Sequence, residues 1–345
     1  MSSKTYRAAV IGLGMIGGSD QVSGDVLGQR VDSMDGTHTF AYQNHPRIDL
    51  VAGSSRDQGR RERYEARTGA ITYENWREMI ANETLDIVSI ATYTPTHAEI
   101  AIACAEHGIP VIYCEKPAAT TVIDAQHMLE AQKHGLLVFN HQRRFDPNYR
   151  RLSALIAEGK LGTLISASLQ WPTGRLGNVG THAIDALLML TGHRVQSVSA
   201  TLDLAGKPDC RGDEFRDPGG WGVMRMNDGL MVTVSAPDYS AAPPRTEING
   251  HKGRAIIEAK GITLEYWTGE TEQWPPHKDS VSGMDRAVSE IIAYLDDRVP
   301  FSYNPEEAVH TLEAIVAFHA SHNKNAAYVD LPLSGSDREI VVLSG

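Results

Sequence analysis

The sequence predicts two domains: an α/β domain with a parallel sheet, and an α+β domain with an open, mostly antiparallel sheet. Three observations predict this. The chain has 345 residues, more than one small core usually organises. Up to about residue 140, short apolar runs alternate with helical stretches, which is typical of a parallel sheet covered by helices. Beyond about residue 164, strand-like pieces follow one another, which is typical of an antiparallel sheet. We place the boundary between residues 121 and 122.

The first domain is predicted over residues 1–121, and one further strand-like run lies just beyond it. The apolar runs are short and rich in branched residues, as buried parallel strands are. They lie at Tyr6–Gly12, Ile48–Gly53, Ile87–Ala91, Val111–Cys114 and Leu136–Asn140. Helical composition marks the stretches between them, at Gln58–Thr68, Glu74–Asn82, Thr96–Glu106 and Ile123–Lys133. Thr96 stands where a side chain can cap the third of these helices, and Gly108 follows its end.

The second domain, residues 122–345, combines helices with many strand-like pieces. Helices are predicted at Asn148–Glu158, which stops at Gly159, and at His182–Leu190, which stops at Gly192. The strand-like pieces lie at Leu164–Trp171, Val195–Leu204, Trp221–Met226, Met231–Ala236, Thr246–Asn249 and Arg254–Glu258. A last helix, over residues 305–322, has an apolar spacing that lets it pack back on the first domain.

Composition and charge exclude several classes of protein. The net charge of −11 argues against a nucleic-acid partner, because phosphate binding needs a basic face. No apolar run approaches the ~18 residues of a membrane span, and the N-terminus lacks the pattern of a secretory signal. The three cysteines have neither disulfide-framework nor zinc-site spacing. We therefore expect a cytoplasmic protein without a metal site, acting on a small molecule.

A glycine-rich turn follows the first strand directly. Its sequence is G-x-G-x-x-G, with glycines at Gly12, Gly14 and Gly17 around Met15 and Ile16. Gly12 permits the tight turn, Gly14 lets the backbone approach a diphosphate, and Gly17 allows close packing of helix on strand. The diphosphate then meets the amides that open the first helix. The context predicts a Rossmann dinucleotide-binding domain; a glycine-rich turn without ligand is the alternative.

The residue types at the end of the second strand indicate whether such a domain prefers NAD or NADP. An NAD site usually carries an acidic residue there. Here the strand ends in Ser54, Ser55 and Arg56, which can hydrogen-bond and pair with a 2′-phosphate. We therefore expect NADP in preference to NAD. Two observations oppose this: Arg56 is equally suited to a solvated helix start, and Asp57 follows it at once.

The polar segment Gly18–Thr37 stands where a dinucleotide-binding fold expects a plain helix. We interpret it as an inserted loop or extended turn near the cofactor mouth.

Several further segments carry a family resemblance. They are Thr92–His97, with the sequence TYTPTH, the triplet Glu115-Lys116-Pro117, the stretch Asn140–Pro147, and Gly180–Asp185, with the sequence GTHAID. Together with the glycine turn, they make the chain resemble the Gfo/Idh/MocA oxidoreductases, the glucose–fructose oxidoreductase and inositol dehydrogenase family. The resemblance runs to about residue 320 and implies a Rossmann domain that binds a nicotinamide dinucleotide.

The resemblance implies roles for the residues that follow two of the strands. Lys116 would lie beside the nicotinamide and the reacting carbon, where an ammonium group can polarise a carbonyl or relay a proton. Glu115 would orient the ribose or the lysine. Pro117 would form a cis or kinked bond that aims Lys116. From the preceding loop, His97, Tyr93 and Pro95 would border the nicotinamide ribose, and Thr92 and Thr94 would also contact the cofactor.

The resemblance also implies that His182 is the general acid/base and Asp185 its partner or a ligand of a substrate hydroxyl. Their spacing places both on one helix face. A histidine packed on the domain interface is the alternative. The chain departs from many relatives at Asn178, where they carry aspartate, and from some inositol-dehydrogenase-like members at Met189, where they carry histidine. A strict inositol dehydrogenase is therefore not predicted.

Substrate contacts are expected from Arg144, Trp171, Asn178, His182 and Asp185, because sugars offer hydroxyls to donors and C–H faces to aromatic rings. Arg144 and Trp171 are equally suited to closing a domain interface. The predicted activity is hydride transfer between a nicotinamide and a sugar, cyclic polyol or related hydroxy or keto compound. The alternatives are NAD-dependent glycoside cleavage by transient oxidation, and a non-catalytic dinucleotide-binding regulator. The open sheet predicts a homodimer or homotetramer.

Overall fold

A computed structural model of the chain describes residues 4–20, 22, 36–205, 215–238, 240–277 and 281–344. The contacts within the chain group it into two units. Unit 1 comprises Met1–Ala119, Asp124–Gln142 and Asp279–Glu306, and unit 2 comprises Thr120–Ile123, Arg143–Lys278 and Glu307–Gly345. The chain therefore passes between the units several times, and the domain boundary between residues 121 and 122 stays a prediction.

The helices and strands of both units have the following bounds. The helices are α1 Met15–Gly18, α2 His38–Asn44, α3 Gln58–Thr68, α4 Trp76–Asn82, α5 His97–Glu106, α6 Val122–Ala131, α7 Pro147–Ala157, α8 Thr181–Thr191, α9 Gly283–Leu295 and α10 Pro305–Asn323. The strands are β1 Tyr6–Ile11, β2 Ile48–Ser54, β3 Ile71–Tyr73, β4 Ile87–Ile90, β5 Val111–Cys114, β6 Leu136–Phe139, β7 Leu164–Gln170, β8 Val195–Asp203, β9 Gly219–Met226, β10 Met231–Ala236, β11 Arg245–Gly250, β12 Gly253–Glu258, β13 Gly261–Tyr266, β14 Thr271–Trp274 and β15 Val329–Asp330.

Unit 1 is built on a six-stranded sheet in the order β3-β2-β1-β4-β5-β6. Every pairing in it is parallel. All residues of β4, β5 and β6 are buried, which explains why these strands are mostly apolar, apart from Ser89, and do not alternate with exposed polar residues. The strand order reverses between β1 and β4, and ligands of such sheets bind at the carboxyl ends of the strands there. The predicted parallel sheet is confirmed.

The first helix of unit 1 is short. It ends after Gly18, because Ser19 takes a left-handed conformation with φ of 58°. Helix α2 begins at His38, and its first turn is capped by the Thr37 hydroxyl, which accepts the Phe40 amide at 3.2 Å. Thr39 donates its hydroxyl to the Gly17 carbonyl at 2.7 Å, which satisfies an acceptor that a continuous helix would have paired. Of the predicted insertion Gly18–Thr37, residues 21 and 23–35 lie outside the described residues.

Unit 2 is built on a nine-stranded sheet in the order β14-β13-β12-β11-β7-β10-β9-β8-β15. Strands β7 and β10 pair in parallel, and the other pairings are antiparallel. The predicted open, mostly antiparallel sheet is confirmed. Buried residues on one face of the strands alternate with more exposed ones, as in β10, where Val232 and Val234 are buried and Met231 and Thr233 are exposed.

The long helix α10 contributes to the core of unit 2 from Glu307 onward. Phe318 is fully buried there, and the side chain lies so close to Gly222 of β9 that a Cβ at Gly222 would meet it at 2.7 Å. The expectation that this helix also packs on the first domain stays a prediction. Within the described residues, the helices are too short or too polar to cross a membrane.

Several elements differ from the sequence-based expectation. The short strands β3, β13, β14 and β15 and the helix α9 are absent from it. Helix α5 begins at His97, one residue later than expected, and Thr96 does not cap it. The Thr96 hydroxyl donates instead to the Thr92 hydroxyl at 2.7 Å and to the Tyr93 carbonyl at 2.9 Å. Thr96 is therefore used to fix the loop before α5.

Candidate functional site

The glycine turn of unit 1 lies at the carboxyl end of β1, beside the end of β4. Gly12 has φ of 98°, and a Cβ on it would lie 2.5 Å from the Ala91 carbonyl oxygen. A Cβ on Gly17 would lie 2.0 Å from the Gly12 carbonyl oxygen. Any side chain at these two positions would therefore push the turn away from its neighbours.

Gly14 differs from the other two glycines, because a Cβ there would meet no atom of the described residues within 4 Å. Its backbone is extended, with φ of −78°, so no left-handed conformation requires glycine at this position. The missing side chain leaves open space in front of the turn. This is the property that lets a diphosphate approach the backbone, so the turn fits a dinucleotide.

The helix behind the glycine turn is short. Helix α1 has 4 residues, so few peptide dipoles are aligned behind its N-terminus. The amides of its first turn, from Met15 to Gly17, have no partner within the helix and are the donors available to an anion. We expect local amide hydrogen bonds to contribute more than a macrodipole.

A buried carboxylate ties the end of α1 to α3. Asp20 is 2% exposed and accepts hydrogen bonds from Arg63 Nε at 3.0 Å and Nη2 at 2.7 Å. Arg67 donates to the carbonyls of Ser19 and Gly18 at 2.5 and 2.7 Å. Sequence reasoning missed this contact. The signal was the spacing of Arg60, Arg63 and Arg67, which recur on one face of α3.

The residues that the sequence assigns to the coenzyme ribose lie at the end of β2 and the start of α3. Ser54 is buried, and its carbonyl accepts the Gly12 amide at 2.9 Å. Ser55 is half-buried and Arg56 is exposed. Asp57 caps α3, with its carboxylate accepting the Arg60 amide at 2.8 Å. One oxygen of the Asp57 carboxylate is therefore used to cap α3.

The loop after β4 contacts the triplet after β5. Thr94, Pro95 and Thr96 form a single 3-10 turn, and Thr94 is buried. His97 is buried, with Nδ1 2.9 Å from the Pro117 carbonyl oxygen and Nε2 3.1 Å from the Thr92 carbonyl oxygen. His97 thus links the two loops that the sequence assigns to the cofactor. Lys116 is half-buried, and the Lys116–Pro117 peptide bond is cis.

Glu115 lies at the centre of a buried polar network. Its Oε1 atom accepts from His38 Nε2 at 3.1 Å and from Asn140 Nδ2 at 2.5 Å, and its Oε2 atom accepts the Lys116 amide at 3.3 Å. Burial alone would raise the pKa of Glu115, but hydrogen bonding and charge from His38, with Lys116 and Asn140, lower that pKa to about 2. The sequence gives no signal for His38, because its contact with Glu115 crosses 77 positions.

In unit 2, two of the predicted substrate residues pair with each other. Arg144 is 6% exposed and Asp185 is 1% exposed. Arg144 Nε lies 2.8 Å from Asp185 Oδ2, Nη2 lies 2.8 Å from Oδ1, and Nη1 lies 2.5 Å from Glu307 Oε2. The hydrogen-bonding atoms of the Arg144 guanidinium and the Asp185 carboxylate are therefore largely engaged by other protein groups. Each of the two side chains fixes the orientation of the other.

The other predicted residues of unit 2 surround the start of α8. His182 is the second residue of that helix, one turn before Asp185, and is half-buried. Asn178 lies in a five-residue π-helix, Leu176–Gly180, and its amide donates to Asp217 Oδ2 at 2.7 Å. Trp171 is buried, and its indole N–H donates to the Gly174 carbonyl at 2.6 Å. Trp171 therefore helps to shape the segment before α8.

Within the described residues, no group of three or more histidine, cysteine, aspartate or glutamate side chains is arranged to hold a metal ion.

Comparison with known proteins places this chain among oxidoreductases. An inositol 2-dehydrogenase of Salmonella paratyphi B is 30% identical over 161 residues, 46% of this chain and 43% of that protein. A levoglucosan dehydrogenase of Pseudarthrobacter phenanthrenivorans is 30% identical over 212 residues, 51% of this chain and 53% of that protein. The chain thus matches about half of the length of each of these relatives.

A solved structure shows the same fold over nearly the whole chain. It is the WlbA dehydrogenase from Bordetella pertussis in complex with NADH and UDP-GlcNAcA, with a TM-score of 0.78 and 20% sequence identity over 97% of this chain and 100% of that chain. The family model of oxidoreductases with an NAD-binding Rossmann fold matches residues 6–141, and the model of the GFO/IDH/MocA C-terminal domain matches residues 149–256. The chain belongs to the Gfo/Idh/MocA oxidoreductase family.

Proposed function

We propose that this protein is an NAD(P)-dependent dehydrogenase or reductase that acts on a sugar, a cyclic polyol or a related hydroxy or keto compound. The observation that carries the proposal is the open space in front of Gly14 in a turn closed by Gly12 and Gly17. The named activities of the inositol and levoglucosan dehydrogenases that it resembles support the substrate class. Bound at this turn, the dinucleotide would supply or accept the hydride.

Lys116 is the residue we assign to the reacting oxygen. An ammonium group polarises a carbonyl in the reductive direction and stabilises the developing alkoxide in the oxidative direction. Two observations support this assignment. The half-buried position of Lys116 restricts where its ammonium group can lie, and the ionised Glu115 beside it favours a positive charge there.

We assign the proton transfer to His182 and the support of its helix to Asp185. His182 is partly accessible on α8, as a residue that exchanges protons with a substrate must be. Asp185 is held by Arg144, so its carboxylate keeps one orientation on the same helix face. Asn178 and Trp171 contribute by shaping the chain before α8.

We further propose NADP as the preferred coenzyme. Ser55 and Arg56 follow β2 and offer a hydroxyl and a guanidinium to a 2′-phosphate. The carboxylate of Asp57 is engaged at the start of α3, which removes the acidic group that would bind a ribose diol. Titration with NADPH and NADH in parallel tests this: Arg56→Ala should weaken NADPH binding about tenfold and leave NADH binding unchanged.

The function is tested by incubating the protein with each coenzyme and a panel of sugars, cyclic polyols and their keto forms. A net change in NAD(P)H absorbance with one of them supports the proposal. Release of an aglycone from a glycoside at constant absorbance would contradict it and would indicate cleavage by transient oxidation. Coenzyme binding with neither activity would indicate a regulator.

We also propose that the protein is a homodimer or homotetramer that uses the open sheet face of unit 2. The strand register places Trp221 of β9 and Met231 of β10 on one face, and both are exposed, at 44% and 37%. Apolar side chains on an open sheet are the kind of surface that a second copy covers. A monomeric mass by light scattering would contradict this.

A further inference from the structure

Helix α2 places a buried histidine in the polar network behind the triplet Glu115-Lys116-Pro117. His38 is the first residue of α2 and is fully buried. Its ring packs edge-on against Tyr113 of β5, with the ring centroids 4.6 Å apart. Its two nitrogens point to different partners: Nε2 lies 3.1 Å from Glu115 Oε1, and Nδ1 lies 2.7 Å from Ser89 Oγ.

The hydrogen bonds of this network link Tyr42, Ser89, His38 and Glu115 in one chain. Tyr42 of α2 lies 2.5 Å from Ser89, and burial raises the pKa of its phenol, so Tyr42 remains a donor. If Tyr42 donates to Ser89 and Ser89 donates to His38 Nδ1, the proton of a neutral imidazole is on Nε2 and faces Glu115. The upstream partners therefore select the tautomer that donates to the carboxylate.

Other titratable groups border Glu115 as well. Cys114 precedes it on β5 and Lys116 follows it, and Tyr113 donates to Asn140, which in turn donates to Glu115. The charge of Asp285 on α9 acts on Tyr113. His38 and Lys116, together with the hydrogen bond from Asn140, favour the ionised form of Glu115, whereas burial opposes it.

We propose that His38 is a positioning residue for catalysis: through the chain Tyr42–Ser89–His38 it keeps the buried Glu115 carboxylate ionised and oriented beside Lys116. The inference rests on the proposed function only in taking Lys116 as the reactive group. Through His38, helix α2 contributes to the candidate site. Without the donor at His38, Glu115 would be a buried carboxyl with less support, and it would take up a proton at a higher pH.

The test measures the ionisation of Glu115 directly. The protein is labelled with ¹³C at the glutamate side-chain carboxyl carbon, and the Glu115 signal is identified by its loss in Glu115→Gln. In the wild type this signal should stay at its ionised position from pH 8 down to the lowest pH at which the protein is folded. In His38→Leu it should titrate, with a midpoint higher by about one unit or more. His38→Gln, whose amide can donate in place of Nε2, should restore most of the wild-type behaviour.

His141→Leu is the matched control. His141 is also buried in unit 1, but its Nδ1 atom lies 3.2 Å from the Tyr303 hydroxyl. Its removal should destabilise the protein without moving the Glu115 titration. If His38→Leu does not fold, Ser89→Ala tests the same chain more mildly and should raise the Glu115 midpoint by a smaller amount.

Activity provides a second readout. Once a substrate is known, His38→Leu should show a new acid limb in the pH profile of kcat, which His38→Gln and His141→Leu should lack. An unchanged Glu115 titration in folded His38→Leu or Ser89→Ala would overturn the inference, and so would an equal shift in His141→Leu. Because the carboxyl signal needs no substrate, these results stand apart from any failure of the proposed function.

Discussion

Arg144 and Asp185 form a two-point ion pair in which both side chains are buried. The guanidinium Nε and Nη2 atoms each lie 2.8 Å from a different oxygen of the carboxylate. Breaking a buried pair leaves one charge without compensation, whereas removing both charges does not. Comparing the single variants with the double variant therefore measures what the ion pair contributes to stability, apart from any role of either residue in the reaction.

We predict that Arg144→Met or Asp185→Leu alone lowers the free energy of unfolding by about 3–5 kcal/mol. The double variant should lose clearly less than the sum of the two. Urea unfolding of the four proteins measures the coupling. The exposed pair Arg77–Glu99 is the control, and breaking it should cost less than about 1 kcal/mol. Additive losses at Arg144 and Asp185 would contradict the prediction.

The glycine turn should separate stability from binding. Gly12→Ala should lower the free energy of unfolding by about 1–3 kcal/mol, because a Cβ at a φ of 98° is strained and would lie 2.5 Å from Ala91 O. Gly14→Ala should leave stability nearly unchanged, since its Cβ meets no atom of the described residues within 4 Å. It should weaken coenzyme binding about tenfold or more, because the methyl group fills the space that a diphosphate needs. Urea unfolding and coenzyme titration of both variants measure this contrast.

Two results would contradict that account. The first is a Gly14→Ala variant that binds coenzyme as tightly as the wild type. The second is a Gly12→Ala variant with unchanged stability.

Acid should destabilise unit 2 through His319. The Nε2 atom of this α10 residue is buried and has no hydrogen-bond partner among the described residues. Burial, with the charge of His322, lowers the pKa of His319 to about 4, from 6.5 in the unfolded chain. Between these values the unfolded chain binds more protons than the folded one, so stability falls as the pH falls, by at most about 1.4 kcal/mol per pH unit.

The comparison of the wild type with His319→Phe at pH 7 and pH 5 isolates this contribution. The wild type should lose more of its free energy of unfolding than the variant over that interval. Equal losses in the two proteins would show that other groups cause the acid dependence.

Lys116→Ala should abolish most turnover and spare the coenzyme site. Removal of one charged group at the reacting oxygen typically costs about 10²–10³ in kcat. The dissociation constant of the coenzyme should change by less than about threefold, which corresponds to under 1 kcal/mol. Steady-state kinetics with an identified substrate and coenzyme fluorescence test both parts. Full activity in this variant would remove Lys116 from the reaction.

The parallel sheet of unit 1 is the part of the structure that the sequence predicts best. β4 and β5 are buried along their whole length, so most of their residues are apolar, with Ser89 as the polar exception. The glycine turn is equally predictable, because backbone proximity at Gly12 and Gly17 permits no side chain. These signals are local.

Signals that depend on distant partners are weaker. His38 contacts Glu115 across 77 positions, and the pair Arg144–Asp185 crosses 41, so no spacing along the chain reveals either contact. Strands β13 and β14 are short and carry charged residues, which hides their pattern. Helix α9 had a usable signal, since Ser282 and Asp285 form a capping box at its start.

Dinucleotide binding at the glycine turn is tested by titrating the 345-residue protein with NADPH and NADH while recording coenzyme fluorescence, with Gly14→Ala measured alongside. We expect saturable binding of one equivalent of coenzyme per chain, with a lower dissociation constant for NADPH than for NADH. The Gly14→Ala variant should bind both coenzymes clearly more weakly. Absence of binding by both coenzymes, or binding that Gly14→Ala leaves unchanged, would contradict it.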